Sequence, residues 1–360
     1  MIDGRRPLGV EGESHVSRTD RMNLIREIEA ARGSRLLVVI WGDREGGLQT
    51  IIAPDAHAVC FQNLESMGHV EKLDVLLYTQ GGQTLAAWGL ANLVREYCDK
   101  LSVLIPHRAL SAGTLFTLAA DEIIMSRLGQ LSPIDPSITS PLGPTIPIAA
   151  MPGQQQIVPL SVEDVIGFIA LATDAAGLKE ERSILSVFDR LSSQVHPMAL
   201  GAVYRSREQI VSLADRLLTF HMKGDDEKED RERIVTRLTR EMGSHDYLIG
   251  RTEAKNFLRL KVTDVPADLE QKIMALFEEY STLLELRQPF NPDAYVGANQ
   301  TATCTLNRAI VESTEVTTVF RTVMELERVQ MQMPMMGVPG LRPAFQERRT
   351  FESWITDQSV

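Results

Sequence analysis

Two short segments carry the residues that could do chemistry. The first is Pro106-His107-Arg108-Ala109-Leu110-Ser111-Ala112-Gly113-Thr114, which follows an apolar run at 101–105 and precedes an apolar helical pattern ending at Ala120-Asp121-Glu122. A serine at the hand-over from strand to helix sits where free amide N–H groups and the positive end of the helix dipole favour negative charge. That position suits a nucleophile whose attack creates an oxyanion, and Ser111 occupies it. The second segment is Leu76-Leu77-Tyr78-Thr79-Gln80-Gly81-Gly82-Gln83, an apolar strand that ends in a glycine pair just before a helix. Gly81 and Gly82 allow the backbone to approach a substrate carbonyl and to aim N–H groups at it. A serine nucleophile and a Gly-Gly donor loop are the core of an acyl-transfer site. Each segment also has a simpler use: Ser111 can cap the following helix, and the glycines can form a tight βα turn. Their occurrence one βα unit apart is what points to a site.

The elements around them must hold these loops. Residues 35–40 and 73–78 read as buried strands, with a helix over 55–67 stopped by Gly68 between them. Residues 84–97 form a helix whose Ala86, Leu90, Leu93, Val94 and Tyr97 share one face, 101–105 form a third strand, and 123–125 begin a fourth. Strands alternating with helices imply βαβ units and a mostly parallel sheet with right-handed crossovers. In such sheets sites lie at the carboxyl ends of the strands, where both Gly81-Gly82 and Ser111 fall. Before this unit, 19–31 is helical and 1–18 is polar. After it, 137–160 is an irregular Pro/Ser/Thr/Gly excursion. Helices are expected at 162–176, 180–191 and 205–222, with a charged, solvated run at 223–230. The Thr- and Val-rich stretches 302–311 and 315–326 read as a β-hairpin, and 331–343, rich in Met and Pro, as an arm against a partner subunit. The expected division is an N-terminal segment and helix (1–34), a central domain (35–285), and a C-terminal hairpin and arm (286–360).

Composition narrows the function classes. The 360-residue chain has a net charge of −11, so it lacks the Lys and Arg surplus that phosphate neutralisation requires, and nucleic acid is not an expected partner. Cys60, Cys98 and Cys304 are far apart and form no metal-binding spacing, which suits a reducing, cytoplasmic setting without a metal or other cofactor. The first residues, MIDGRRPLGVEGESH, lack the apolar core of a secretory signal, and no run of apolar residues is long enough to span a membrane.

The ordered set of motifs resembles the serine dehydrogenase proteinase family of the Clp-protease-like clan. The matching residues are Tyr78-Thr79-Gln80-Gly81-Gly82, then Pro106 to Leu115 with Ala119-Ala120-Asp121-Glu122-Ile123. Leu131-Ser132-Pro133-Ile134-Asp135-Pro136, His196-Pro197-Met198-Ala199-Leu200-Gly201 and Ser244-His245-Asp246-Tyr247-Leu248-Ile249 follow, and together the set covers roughly residues 35–262. The resemblance implies a ClpP/crotonase-like βαβ superhelix, here with a C-terminal β-rich extension. It also implies peptide-bond hydrolysis on peptide or protein substrates in a homo-oligomer. It implies a Ser, Asp, His triad in an order different from that of Clp peptidases. The slot 24 residues after Ser111, where those peptidases carry histidine, holds Asp135, and the later acid slot holds His245-Asp246. A triad is defined by geometry rather than chain order, so Ser111 would attack, His245 would take its proton and Asp135 would orient the imidazole. Amides near Gly81, Gly82 and Ala112 would hold the oxyanion. His196 is the alternative base, at about the place where related signal peptide peptidases carry a catalytic lysine. Lys179, His107 and Asp246 are weaker candidates.

The chain also departs from the family pattern: Gln80 stands where the oxyanion loop often carries Pro, and a leading membrane helix is not expected from these residues. Two other functions remain open. A crotonase-type acyl-CoA enzyme would place glycine where Ser111 stands, and a non-catalytic scaffold could retain the fold alone. An α/β-hydrolase is disfavoured because Ala109-Leu110-Ser111-Ala112-Gly113 lacks the first glycine of G-x-S-x-G.

Overall fold

The computed structural model describes residues 17–134, 137–138, 140–147, 155–158, 160–244, 246–335 and 338–360. The chain enters with α1 (Arg18–Arg32), capped by Ser17 and ended by Gly33, and passes into β1 (Arg35–Trp41). Then come α2 (Ala56–Met67), β2 (Val70–Tyr78), α3 (Thr84–Arg95) and β3 (Cys98–Ile105). Strand β1 is apolar from Leu36 on, and β2 and β3 become continuous apolar runs in their second halves (75–78 and 103–105), because both faces of the sheet are covered there. Leu37, Val39, Trp41, Val75, Leu77, Val103 and Ile105 point to one layer, and Leu36, Val38, Ile40, Leu76, Tyr78 and Leu104 to the other.

The nucleophile segment follows as β4 (Arg108–Ala109) and α4 (Ala112–Thr117), then β5 (Glu122–Met125) and β6 (Gln130–Leu131). Short pairs β7 (Ser137–Ile138) with β10 (Leu160–Ser161), and β8 (Thr145–Pro147) with β9 (Gln155–Ile157), make up the irregular excursion. The helices α5 (Val162–Ala170), α6 (Glu181–Gln194), α7 (Pro197–Leu218) and α8 (Lys228–Thr236) come next. The helix expected from residue 205 thus begins at Pro197, because a proline at the first helical position fits the unpaired N–H there. After β11 (Ile249–Gly250) and α9 (Arg251–Asn256), α10 (Ala267–Leu283) packs with α1 on one face of the sheet. On the opposite face lie α2, α3, α4 and α7.

The C-terminal part is α11 (Pro292–Val296), β12 (Thr301–Glu312), β13 (Thr317–Met335) and β14 (Val338–Thr356). The expected hairpin forms, β12 pairing antiparallel with β13 from Thr301–Glu327 to Glu312–Thr317, but it is joined to the central sheet. Strand β12 runs antiparallel to β1, giving one seven-stranded sheet in the order β14-β13-β12-β1-β2-β3-β5, whose β1, β2, β3 and β5 are parallel. The segment expected as a Met- and Pro-rich arm is the distal end of β13 and β14, where Met331 pairs with Arg342 and Met335 with Val338 in antiparallel register. The alternation of 302–311 and 315–326 signalled strands; the existing edge of β1 decided what they paired with. A buried ion pair ties the two ends of the chain together. Arg21 of α1 donates twice to Glu312 of β12 (2.9 Å each), and Tyr280 of α10 and Thr317 of β13 donate to the same carboxylate.

Candidate active site

Ser111 sits at a strained turn. Its backbone is at φ 50°, ψ −110°, a region that non-glycine residues rarely occupy, immediately before α4. The turn is held by partners on both sides. The Ser111 amide donates to Ser132 Oγ at 2.7 Å, and the Ser132 amide donates to Thr114 Oγ1 at 3.1 Å. Thr114 Oγ1 in turn donates to the Ala109 carbonyl at 2.9 Å. Ser111 is half-buried, and among the described residues its hydroxyl has no hydrogen-bond partner. Backbone strain of this kind costs of order 1–3 kcal/mol and persists only where the surroundings enforce it.

The glycine loop lies against this turn. Thr79 pairs with Ala109, the Thr79 amide donating to the Arg108 carbonyl (2.9 Å) and the Leu110 amide to the Thr79 carbonyl (3.1 Å). Gly81 follows at φ 116°, and a Cβ built on it would stand 2.9 Å from Ser111 Cβ, so only glycine lets the two segments approach this closely. The Gly81 amide is already bound to Thr79 Oγ1 at 2.9 Å. Gly82 is placed differently. Its neighbours bond to Ile52, through Gly81 O to Ile52 N (2.9 Å) and Gln83 N to Ile52 O (2.8 Å). In a parallel bridge of this kind the middle residue turns its own N–H to the opposite side. Gly82 is exposed, and among the described residues neither its amide nor that of Ala112, the first residue of α4, has a hydrogen-bond partner. The site therefore has a half-buried hydroxyl and two unspent backbone donors on adjoining segments.

A three-stranded sheet, β11-β6-β4, gathers the distant parts of the chain here. Arg108 and Ala109 pair with Gln130 and Leu131, which pair in turn with Gly250 and Ile249. Asp135 lies four residues beyond Leu131, and His245 four residues before Ile249. Four residues of extended chain reach at most about 14 Å. Both residues lie outside the described ones. His196 is exposed at the start of α7, where its Nδ1 accepts the Met198 amide at 3.2 Å; it caps that helix and among the described residues has no bond to Ser111. Lys179 and Asp246 are exposed. His107 packs beside the contacting pair Tyr78 and Phe277, tilted against the first and edge-on to the second (ring centroids 5.8 and 6.3 Å), on the α1/α10 side. Burial, and then the adjacent Arg108 charge, hold its pKa below the ordinary imidazole range, so it is neutral at pH 7.

Two residues that the sequence did not single out belong to the setting. Ser132 binds the Ser111 amide, and Asp43, just past β1, accepts hydrogen bonds from Tyr78, Gln80 and Arg108. A cavity of about 390 Å³ opens beside Asp43, walled by Tyr78, His107, Phe277 and Arg287. The only sequence signal for Asp43 was its place at the carboxyl end of a buried strand. Among the described residues no group of three or more His, Cys, Asp or Glu could hold a metal ion. None of the helices searched is long and apolar enough to cross a membrane.

Residues 11–164 match the family of ClpP-like SDH-type serine proteinases, which bears out the resemblance read from the motifs over that stretch. The match takes in the glycine loop, Ser111 and the Asp135 slot; His196 and His245 lie beyond it. Two uncharacterized proteins of Methanocaldococcus jannaschii are similar to this chain. One is 35% identical over 125 residues, 33% of this chain and 42% of the relative. The other is 30% identical over 132 residues, 35% of this chain and 46% of the relative. The matched stretch thus spans less than half the length of either relative. Among solved structures, a mutant of ClpP1 from Listeria monocytogenes aligns with 68% of this chain and 99% of its own, at 14% identity and a TM-score of 0.31. A mutant of the 1510-N membrane-bound stomatin-specific protease aligns with 67% of this chain and 85% of its own, at 12% identity and a TM-score of 0.36.

Proposed function

We propose that this chain is a serine peptidase with Ser111 as nucleophile. The observation that carries the reading is the strained positive-φ backbone of Ser111 packed against the glycine loop, so close that a Cβ on Gly81 would meet Ser111 Cβ at 2.9 Å. Ser111 Oγ attacks the scissile carbonyl carbon and gives its proton to a histidine; the carbonyl oxygen becomes an oxyanion held by the amides of Gly82 and Ala112. Collapse of the intermediate breaks the C–N bond, the histidine returns the proton to the leaving amine, and water repeats the sequence to free Ser111. His245 is the favoured base and Asp135 its orienting acid, because their segments flank β11 and β6 in the same small sheet as Ser111. His196 is the alternative base. Gly81 supplies the close approach and Gly82 the donor.

The substrate is a peptide or an unfolded protein segment, and the working form is a homo-oligomer. Helix α6 supports the latter: Ile184, Leu185 and Phe188 on it are 40, 57 and 51% exposed, so its apolar face has no cover among the described residues. Phe188→Glu should shift the mass measured by light scattering to that of a smaller species. The three cysteines are free and buried, consistent with a reducing compartment such as the cytoplasm.

Fluorophosphonate labelling of the full chain tests the chemistry. The wild-type protein should be tagged at Ser111 and should hydrolyse an unfolded protein substrate, and Ser111→Ala should lose both, with turnover falling on the order of 10⁴–10⁶-fold. A crotonase-type enzyme or a scaffold would give no tag, and that result would overturn the reading.

A further inference from the structure

The glycine pair and the nucleophile turn belong to different segments, yet an oxyanion must be held by donors from both. Their mutual placement therefore matters as much as the placement of either one. Downstream, Gln83 N and Gly81 O anchor the glycine loop to Ile52. Upstream, the last residue with a side chain before the two positive-φ glycines is Gln80. Its Nε2 donates to Asp43 Oδ2 at 2.6 Å. The same oxygen accepts from Tyr78 OH at 2.7 Å, at the end of β2, and from an Arg108 guanidinium N–H at 3.4 Å, three residues before Ser111. The Asp43 side chain is only 10% exposed. One carboxylate oxygen thus bridges the segment that bears Gly82 and the segment that bears Ser111 and Ala112. Arg108 offsets its charge, so what Asp43 supplies is alignment rather than a field opposing the oxyanion.

Resting on the serine-peptidase reading, we propose that Asp43 is a positioning residue of the Ser111 site, holding the Gly82 and Ala112 amides at the separation an oxyanion needs. Gln80 is its contact on the loop. Thr79 ties the strand end to the nucleophile segment through its bridge to Ala109, and its Oγ1 accepts the Gly81 amide, but the Gln80 amide itself has no hydrogen-bond partner among the described residues, so the Asp43 contact is what holds Gln80. That free N–H has a consequence. A proline at position 80 would sacrifice no bond, would fix φ at the entry to the glycine pair, and would suit Thr79, which is already extended in its bridge to Ala109. A rigid backbone at that position should therefore replace the Asp43–Gln80 bond.

The test uses the full-length protein with a fluorophosphonate probe. In this reaction Ser111 Oγ bonds to phosphorus, fluoride leaves, the hydroxyl proton is lost to the base, and the P=O oxygen occupies the oxyanion position. Second-order labelling rates and thermal midpoints are measured for wild type, Asp43→Asn, Gln80→Leu, the double variant, and Asp43→Asn combined with Gln80→Pro. Labelling by each single variant should fall about 10–100-fold, the range expected when donors are displaced by a fraction of an ångström to one ångström. The double variant should lose no more than Asp43→Asn alone, and Gln80→Pro should restore most of the rate in the Asp43→Asn background. With a peptide substrate the loss should appear in kcat and not in KM. A folded Asp43→Asn or Gln80→Leu protein that labels within twofold of wild type overturns the proposal. So do single effects that simply multiply, or a drop in thermal midpoint without a drop in rate. Should Asp43→Asn not fold, the exposed Gln80→Leu carries the decision alone. A wild-type protein that takes no label removes the peptidase reading itself, an outcome distinct from any failure of Asp43.

Discussion

Strain at Ser111 predicts that the protein becomes more stable when the serine is replaced by glycine, and only by glycine. Serine at φ 50°, ψ −110° is held in a conformation that costs about 1–3 kcal/mol, whereas glycine reaches the mirror of the extended region without a penalty. Glycine also makes the unfolded chain more flexible, which takes back about 0.5–1 kcal/mol. Taken at mid-range, about 2 kcal/mol of strain less about 0.75 kcal/mol of chain flexibility, the net gain is about 1–2 kcal/mol. Ser111→Ala keeps Cβ, and hence the strain, so it should leave stability unchanged within about 0.5 kcal/mol. At roughly 2.1 cal/mol/K of unfolding entropy per residue, a 360-residue chain shifts by about 1.3 °C per kcal/mol, so Ser111→Gly should melt about 1.3–2.6 °C above Ser111→Ala. Paired calorimetric scans at one rate resolve that difference, and urea midpoints provide a second measure. Both variants should be inactive. If Ser111→Gly melts at or below Ser111→Ala, the turn is not strained and the reason for reading it as a nucleophile's seat is lost.

Other perturbations separate the remaining parts. Gly82→Val would drive a side chain into the Ile52 carbonyl, 2.4 Å from the built Cβ, and should lower turnover by about 10²–10³-fold, seen as a fall in kcat rather than a rise in KM. Glu312→Gln leaves the buried Arg21 guanidinium without its counter-charge and should cost about 3–5 kcal/mol in urea unfolding, while pairing Arg21→Met with Glu312→Leu should recover most of it. His221 donates from Nε2 to the Leu118 carbonyl, and burial pulls its pKa from 6.5 down to about 4. The unfolded chain therefore takes up that proton first. Stability should be complete above pH 6.5 and decline as pH falls towards 4, by about 2–3 kcal/mol, and His221→Gln should flatten that decline in pH-dependent denaturation. Truncation after Pro292 removes β12, β13 and β14 and bares the edge of β1, so the product should aggregate or unfold rather than remain a lighter active species, as gel filtration with circular dichroism will show.

The elements that could be read in advance were those with a local signal. Buried apolar runs at 35–40, 73–78 and 101–105 located β1, β2 and β3 to within a few residues, and the glycine pair and Ser111 fell at carboxyl ends as the βαβ pattern requires. What was not legible depends on contacts between distant segments. Nothing in Leu131-Ser132-Pro133 says that its hydroxyl will hold the Ser111 amide, and nothing around Asp43 says that three side chains from two other segments will converge on one oxygen. The destination of β12 was hidden for the same reason. Alternation specifies a strand and its faces, but the choice between pairing with a partner subunit and pairing with β1 depends on an edge more than 260 residues earlier in the chain. The Met- and Pro-rich stretch argued against a strand by composition, yet it lies where the flanking register carries it.

On the proposed reading, in which Asp135 and His245 complete a triad with Ser111, the small sheet would let acid and base exchange places along the chain. Strands β4, β6 and β11 contribute only two paired residues each, so the sheet is too slight to be a source of stability. Its effect is to bring three chain segments to one point: the strand that leads into Ser111, the strand that leads towards Asp135, and the strand that follows His245. Strand β6 lies between the other two. A residue leaving the end of β6 and a residue entering the start of β11 can approach the same turn, because β11 runs antiparallel to β6 and its start therefore adjoins the end of β6. Either segment could then carry the imidazole, with the other carrying the carboxylate. Placing histidine on β6's exit and aspartate before β11, in the double variant Asp135→His with His245→Asp, should therefore retain more fluorophosphonate labelling than either single change. If both singles and the double are equally dead while Ser111 remains correctly folded, the two slots are not equivalent, and His196 becomes the base to test.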